Sequence, residues 1–284
     1  VLDNNTFVER NKGNIDIYVF MYRKDLGLCL KDYYDLTGYP SLIPSYSLLN
    51  WWNKNKEYST SDIQNLMLKF QEEDIPIAVL LFGDKWHDDS DPMVFHHQLL
   101  NGEQLRQLCN HYHMKISLSI DPSLKIKEGS NTYQNIQNVL QNINGDYSFL
   151  PMSSQQMNLY ASYGIKSWIS SGIDSFYIDY NNSKDNCSLA LINHYIYSMY
   201  GIMLNKRVAI LSRNYAMATH RDTIIYNGKT KVGWNTLSIL PQYQMSASNN
   251  GVSYIASPIG GYYGGIETFE LYIRYIQFGV FSFV

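Results

Sequence analysis

IDSFYID, residues 173–179, decides how this chain folds. It is mostly apolar, rich in β-branched and aromatic side chains, too short for a helix, and ends on a carboxylate. Near-continuous apolarity of this length fits a strand covered on both faces, as in a parallel sheet. Similar runs lie on either side: SYSLLNWW (45–52), IPIAVLLFG (75–83), MKISLSI (114–120) and RVAILS (207–212). Weaker strands fit 223–226 and 252–257, and an eighth is expected to begin within 280–284. Helical patterns separate these runs. Ser59-Thr60-Ser61-Asp62 supplies a cap, and Ile63, Leu66, Met67 and Phe70 follow at helical spacing. NGEQLRQLCNHYH (101–113), LALINHYIYSMYG (189–201) and ETFELYIRYIQFG (267–279) are further helices, the last two closed by glycine. Strand–helix alternation predicts an α/β fold with a parallel sheet. Eight strands favour a (β/α)8 TIM-type barrel, nearly complete and cut within its eighth strand. Residues 1–40 are expected to lead into the barrel and 41–284 to form it.

Composition narrows the function classes. Of 284 residues, 45% are hydrophobic, ample for a core, while only 17% are charged. The 25 tyrosines each offer a flat apolar face and a polar tip, which suits carbohydrate contact as well as packing. A net charge of −3 with no basic stripe argues against a nucleic-acid partner. No apolar run approaches the roughly 18 residues of a membrane span. Cys29, Cys109 and Cys187 lack CxxC pairing and read as neither a disulfide framework nor a zinc site. Gly228-Lys229-Thr230 lacks the upstream glycine of a phosphate loop, because that position is Thr223. His87-Asp88-Asp89-Ser90-Asp91 lacks the glycine and terminal glutamate of a calcium loop. No metal or cofactor is called for.

In parallel barrels the active groups stand at the C-terminal ends of strands and in the loops that follow. Those ends read Gly83-Asp84-Lys85-Trp86-His87, Asp121-Pro122, Asp179-Tyr180, Ser212-Arg213-Asn214, Tyr226-Asn227-Gly228-Lys229 and Pro258-Ile259-Gly260-Gly261. Asp179 is the sharpest of them, since a carboxylate at the end of a buried strand is costly unless solvated or partnered.

Several segments, in order along the chain, resemble glycoside hydrolase family 31, the retaining α-glucosidases and their relatives. DYYDLTGYPSLIPSYSLLNWW (32–52) is similar to the segment leading into the family's first strand. SFYIDYNN (175–182) resembles the nucleophile segment and aligns Asp179 with the nucleophile. NHYIY (193–197) and ILSRNYAMATHR (210–221) resemble the following helix and a Ser-Arg strand. IGGYYGGIETFELYIRYIQFG (259–279) resembles a Gly-Gly turn and its helix. The resemblance implies an α-glucoside-type carbohydrate ligand facing Asp84, Trp86, His87, Arg213 and His220, and the indoles of Trp51 and Trp234 are expected to add to a sugar platform. It implies no cofactor.

The departures from the family pattern fall on the working residues. Lys229 stands where the resemblance places the acid/base aspartate of a Ser-Gly-Asp turn. Gly83 and Pro258 stand where it places two further aspartates, and a histidine it places beyond the eighth strand would lie past Val284. A retaining glycosidase needs a nucleophilic carboxylate and a carboxylic acid about 5–5.5 Å apart. General acid–base help is worth roughly 10²–10⁴ in rate, and a lysine with an ordinary pKa near about 10.4 is a poor acid at neutral pH. The expectation is therefore a family-31-like barrel with impaired or lost catalysis that binds a carbohydrate or a partner. Two alternatives stand beside it: an active retaining α-glucosidase using Asp179, and a structural subunit of a larger assembly. An open mouth would favour sugar binding, and a mouth filled by Lys229 and tyrosines would favour the structural role.

Overall fold

The computed structural model describes residues 2–3, 6–7, 18–54, 56–97, 99, 102–180, 186–213 and 218–282. Two short strands, β1 (Leu2–Asp3) and β2 (Thr6–Phe7), pair antiparallel near the N-terminus, ahead of helix α1 (Leu26–Thr37). The rest is built on one seven-stranded sheet. Its members are β3 (Trp51–Lys54), β4 (Val79–Phe82), β5 (Lys115–Ile120), β6 (Ser175–Ile178), β7 (Ala209–Ser212), β8 (Ile224–Tyr226) and β9 (Ile255–Ala256). All six pairings are parallel, and the spatial order follows the chain order. Parallel neighbours need crossovers, and helices supply most of them. These are α2 (Thr60–Glu72), α3 (Gly102–His111), α4 (Asn131–Leu140), α5 (Ser154–Tyr160), α6 (Lys166–Ser170), α7 (Asn186–Leu204) and α8 (Trp234–Asn249), with α9 (Phe269–Gly279) after the last strand.

The apolar runs become strands for the reason their composition gives: β4, β6 and β7 are buried along their whole length. α2 starts on a full capping box. Ser59 Oγ accepts from Asp62 N at 3.2 Å, and the Asp62 carboxylate accepts from Ser59 N at 2.9 Å. Such caps contribute about 1 kcal/mol. Two layers of core result. One lies between sheet and helices around Trp86, Trp168, Phe176 and Ile196. The other lines the concave face, where Leu81, Tyr177, Leu211 and Tyr226 meet, with Trp51 packed against them.

Three expectations need correction. α7 runs through Gly201 to Leu204 rather than closing on that glycine. Residues 45–48 form a 3₁₀ turn rather than the start of the first strand, because Ser47 N and Leu49 N bond back to Pro44 O and Tyr46 O. Residues 280–282 are a turn rather than the opening of an eighth strand. Phe281 N and Ser282 N donate to the carbonyls of Phe278 and Gly279, continuing the curl of α9. Residues 283–284 lie outside those described. Among the described residues, β3 and β9 are the outer strands of the sheet.

Candidate active site

Asp179 directly follows β6, its amide tied to Ile120 O on the neighbouring strand at 3.0 Å. Asp84 lies two residues past β4 and Lys229 three past β8. In a flat sheet β4 and β8, four strands apart, would be separated by about 19 Å at about 4.8 Å per strand. Yet Lys229 Nζ lies 3.2 Å from Asp84 Oδ2 and 2.5 Å from Asp179 Oδ2. The sheet is therefore curled strongly enough for the ends of alternate strands to converge on one ammonium group.

Each carboxylate has a second partner. The Tyr177 hydroxyl donates to Asp179 Oδ1 at 2.8 Å, and Ser119 Oγ donates to Asp84 Oδ1 at 3.1 Å. The Tyr262 ring flanks Lys229, with Nζ 5.2 Å from its centroid. Burial alone would lower the Lys229 pKa. The hydrogen bond and charge of Asp179, with the charge of Asp84, outweigh it and push the ammonium up to about 12. Asp121, at the end of β5, is pushed above the usual carboxylate range, first by burial and also by the negative charges of Asp179 and Asp84. Burial and the adjacent Asp179 raise the Tyr177 hydroxyl well beyond its ordinary range, so it acts as a donor only.

The chemistry follows from this geometry. One ammonium bridges Asp84 and Asp179, so both carboxylates are committed to the same cation. A lysine that stays charged to about 12 cannot give up a proton at neutral pH. It also stands beside Asp179, which is nearly covered, so that carboxylate is shielded from an incoming ligand until Lys229 moves, whereas Asp84 stays open to solvent.

The other sequence-predicted residues divide between the two ends of the barrel. Arg213 directly follows β7 at the mouth, with its guanidinium so close to Gly228 that a side chain there would clash, and the φ of +92° at that position also favours glycine. Trp234 opens α8, follows the loop after β8, and is half exposed. His87 is partly buried, with Nδ1 3.0 Å from Asp88 O. Trp86 is buried in the core. Its indole N–H donates to Ser119 O at 2.5 Å and its ring packs against Trp168 and Phe95, so it is closed to a sugar platform in this arrangement. A void of about 10 Å³ beside it, near His87 and Asp121, is far too small for a pyranose ring.

Trp51 and His220 stand at the opposite end. Trp51 begins β3, its indole N–H donating to Ser47 O at 3.2 Å. His220 precedes β8 and is buried between the Tyr33 and Tyr34 rings, with Nε2 2.9 Å from Gly38 O. Neither joins the Asp179 cluster. Asn214 lies outside the described residues. Tyr262, Ser119, Tyr177 and Asp121 complete the cluster without having been singled out as site residues. The period-2 alternation of Ser117, Ser119 and Asp121 beside the apolar Ile116, Leu118 and Ile120 was the available signal for two of them. Among the described residues no group of three or more His, Cys, Asp and Glu side chains could hold a metal.

Comparison with known proteins bears directly on this arrangement. Residues 40–284 match the family described as "Glycosyl hydrolases family 31 TIM-barrel domain". The chain belongs to glycoside hydrolase family 31. It is 23% identical to an alpha-xylosidase of Saccharolobus solfataricus, covering 94% of this chain but 40% of that protein. Among solved structures, the cycloalternan-forming enzyme of Listeria monocytogenes, in complex with a pentasaccharide substrate, superposes with a TM-score of 0.75. It is 17% identical, over 92% of this chain and 30% of the other. The cycloalternan-degrading enzyme of Trueperella pyogenes, in complex with isomaltose, gives a TM-score of 0.76 at 14% identity, over 90% and 44%. At these identities the structural likeness establishes the fold. The family-31 chain spans less than half the length of each of these relatives. No described helix is long and apolar enough to cross a membrane.

Proposed function

We propose that this chain is a family-31 barrel whose nucleophile-position carboxylate is held out of use by Lys229, leaving carbohydrate or partner binding with impaired hydrolysis. The 2.5 Å contact between Lys229 and Asp179 carries this reading. A retaining mechanism needs an acid where the resemblance aligns Lys229, and the ammonium there keeps its proton to about 12. The relatives named in complexes with a pentasaccharide and with isomaltose support an α-linked sugar as ligand class. The outer edges of β3 and β9 support a further strand, from this chain or a partner, joining them into a closed barrel. A second reading, in which the chain is a scaffold subunit, draws on the filling of the mouth by Lys229 and Tyr262 and on the burial of Trp86.

The test is turnover of an activated aryl α-glucoside by the full-length protein and by Asp179→Ala. The expected outcome is slow release of the phenol, changed less than about tenfold by the substitution. Robust turnover abolished by Asp179→Ala would overturn the impaired-catalysis reading and restore the active α-glucosidase. No binding of any α-glucoside would favour the scaffold subunit.

A further inference from the structure

On the outer flank of the barrel, in its helix layer, α2 and α3 both end at one cavity, and they end in the same way. Asp74 (φ +52°) and His113 (φ +56°) each turn the backbone into the left-handed region. The next amides, Ile75 N and Met114 N, fold back onto Phe70 O and Cys109 O, each at 2.9 Å. Such a curl closes a helix and brings the apolar residue after it against the helix end. Between the two curls the cavity measures about 420 Å³. Met67, Phe70 and Ile75 line it from α2 and its link, Tyr112 and Met114 from the link after α3. Its volume falls in the range of small-ligand sites, whereas the void beside Trp86 does not.

The walls and the charges around them define what fits. Aromatic rings present electron-rich faces to a cation, and the thioethers of Met67 and Met114 pack well against a further ring. Both helices direct their C-terminal, electronegative ends toward the cavity. Between the lining residues Gln71 and Ile75 the chain carries Glu72, Glu73 and Asp74, all exposed. Lys115, which follows Met114, is tied to Asp174 at 3.1 Å, and Lys69 on α2 is outnumbered by those carboxylates. An anion would meet repulsion from the rim, and a neutral apolar molecule would leave its field unused. We propose that this cavity binds an organic cation with an aromatic body, an aralkylammonium being the simplest form. Its ring lies among Met67, Phe70, Tyr112 and Met114, and its ammonium faces the carboxylates and the helix ends. The site is separate from the barrel mouth and stands whether or not a sugar binds there.

The experiment follows the methionine methyl signals of the protein by NMR at about pH 8, where an imidazole is ordinarily uncharged, because His111 and His113 also line the cavity. Phenethylammonium, phenethyl alcohol and hydrocinnamate, matched in shape, are titrated separately. The ammonium should move the Met67 and Met114 signals and leave Met93, beside the Trp86 void, unmoved. It should bind roughly fivefold tighter than the alcohol, with hydrocinnamate weakest. Added sodium chloride should erode the advantage of the ammonium, as for a screened charge. Glu72→Gln with Glu73→Gln, both at exposed positions, should bring ammonium and alcohol to within about twofold. Ile75→Lys, at a half-exposed position, should abolish binding of the ammonium. The wild-type ranking and its salt dependence test the proposal even if neither variant folds. Any ranking without the ammonium first, shifts confined to Met93, or no shift at all would overturn it. So would Met67 and Met114 signals that move with protein concentration alone, which would assign the cavity to a second copy of this chain.

Discussion

The base and the mouth of this barrel satisfy their polar groups by different means. At the base, many side chains end on the backbone (Tyr46 on Asp174 O, Trp51 on Ser47 O, His220 on Gly38 O, and Asp174 on the amide of Ile116), beside the more exposed ion pairs of Lys115 with Asp174 and of His194 and Arg221 with Asp222. At the mouth they end mainly on one another: Lys229 on Asp179 and Asp84, Tyr177 on Asp179, Asn227 on Ser257. A backbone partner is fixed by the fold and cannot be exchanged without unfolding. A side-chain partner can be traded for a ligand atom at the cost of a rotamer change. The base is thus read as architecture and the mouth as a site, although both are crowded with tyrosine.

Substitutions can break this comparison, and the largest effect is expected at the base. Trp51→Ala empties part of the concave core beside Leu81 and Tyr177 and should cost about 3 kcal/mol in urea denaturation. A loss below about 1 kcal/mol would show that the inner core tolerates a void there. At the mouth, Lys229→Met removes the bridging cation and leaves Asp179, only 10% exposed, facing Asp84. A destabilisation of about 2 kcal/mol is expected, less than for a fully buried pair because Asp84 is 42% exposed. Adding Asp179→Asn should recover at least half of it. No recovery would mean that packing of the lysine stem, rather than charge, holds the mouth together.

The pH dependence sharpens the contrast with the smallest effects. The Lys229 pKa is raised on folding, so its contribution is fully present below the unfolded value of 10.5 and fades as pH climbs through about 12. After solvent screening that contribution is about 1 kcal/mol. His220 behaves oppositely. Its pKa is lowered, first by burial and then by Arg221, against the pull of the Gly38 hydrogen bond and Asp222. Its neutral form supports the base above its ordinary value near 6.5, and that support is lost as pH falls through the lowered one. NMR titration of the Lys229 side chain and the His220 ring checks both. A His220 that protonates at its ordinary value would place it outside the α1 contact.

The fold was largely legible because buried parallel strands write themselves as short apolar runs. IPIAVLLFG, MKISLSI, IDSFYID and RVAILS each contain the observed strand. The error at SYSLLNWW has the same origin: an apolar run carries no mark that tells a turn from a strand, and Ser47 is as buried as any strand residue. α8 was missed because polar and apolar residues alternate along it without a clear stripe, Pro241 lies inside it, and only Leu240 is buried. α4 and the α5–α6 pair were passed over although Ser130 and Ser153 cap them. The site was legible at its strand ends, where Asp84, Asp179, Arg213 and Lys229 all lie, but not in its pairing. Asp84 and Lys229 are separated by 145 residues, and only the curl of the sheet brings them together. For Trp86 the sequence registers that an indole is present, not that its ring turns into the core against Trp168.

The convergence of alternate strand ends on Lys229 has a mechanical meaning. Hydrogen bonds between adjacent strands sense only local spacing and would hardly change if the sheet opened a little at each step. Lys229 spans from β8 to the ends of β6 and β4, two and four places away, and so sums those small openings into one distance. It works as a strain gauge for the curvature of the whole sheet. Any loosening, by heat or by a ligand prising the mouth apart, should register in its ammonium before a single strand pair has parted.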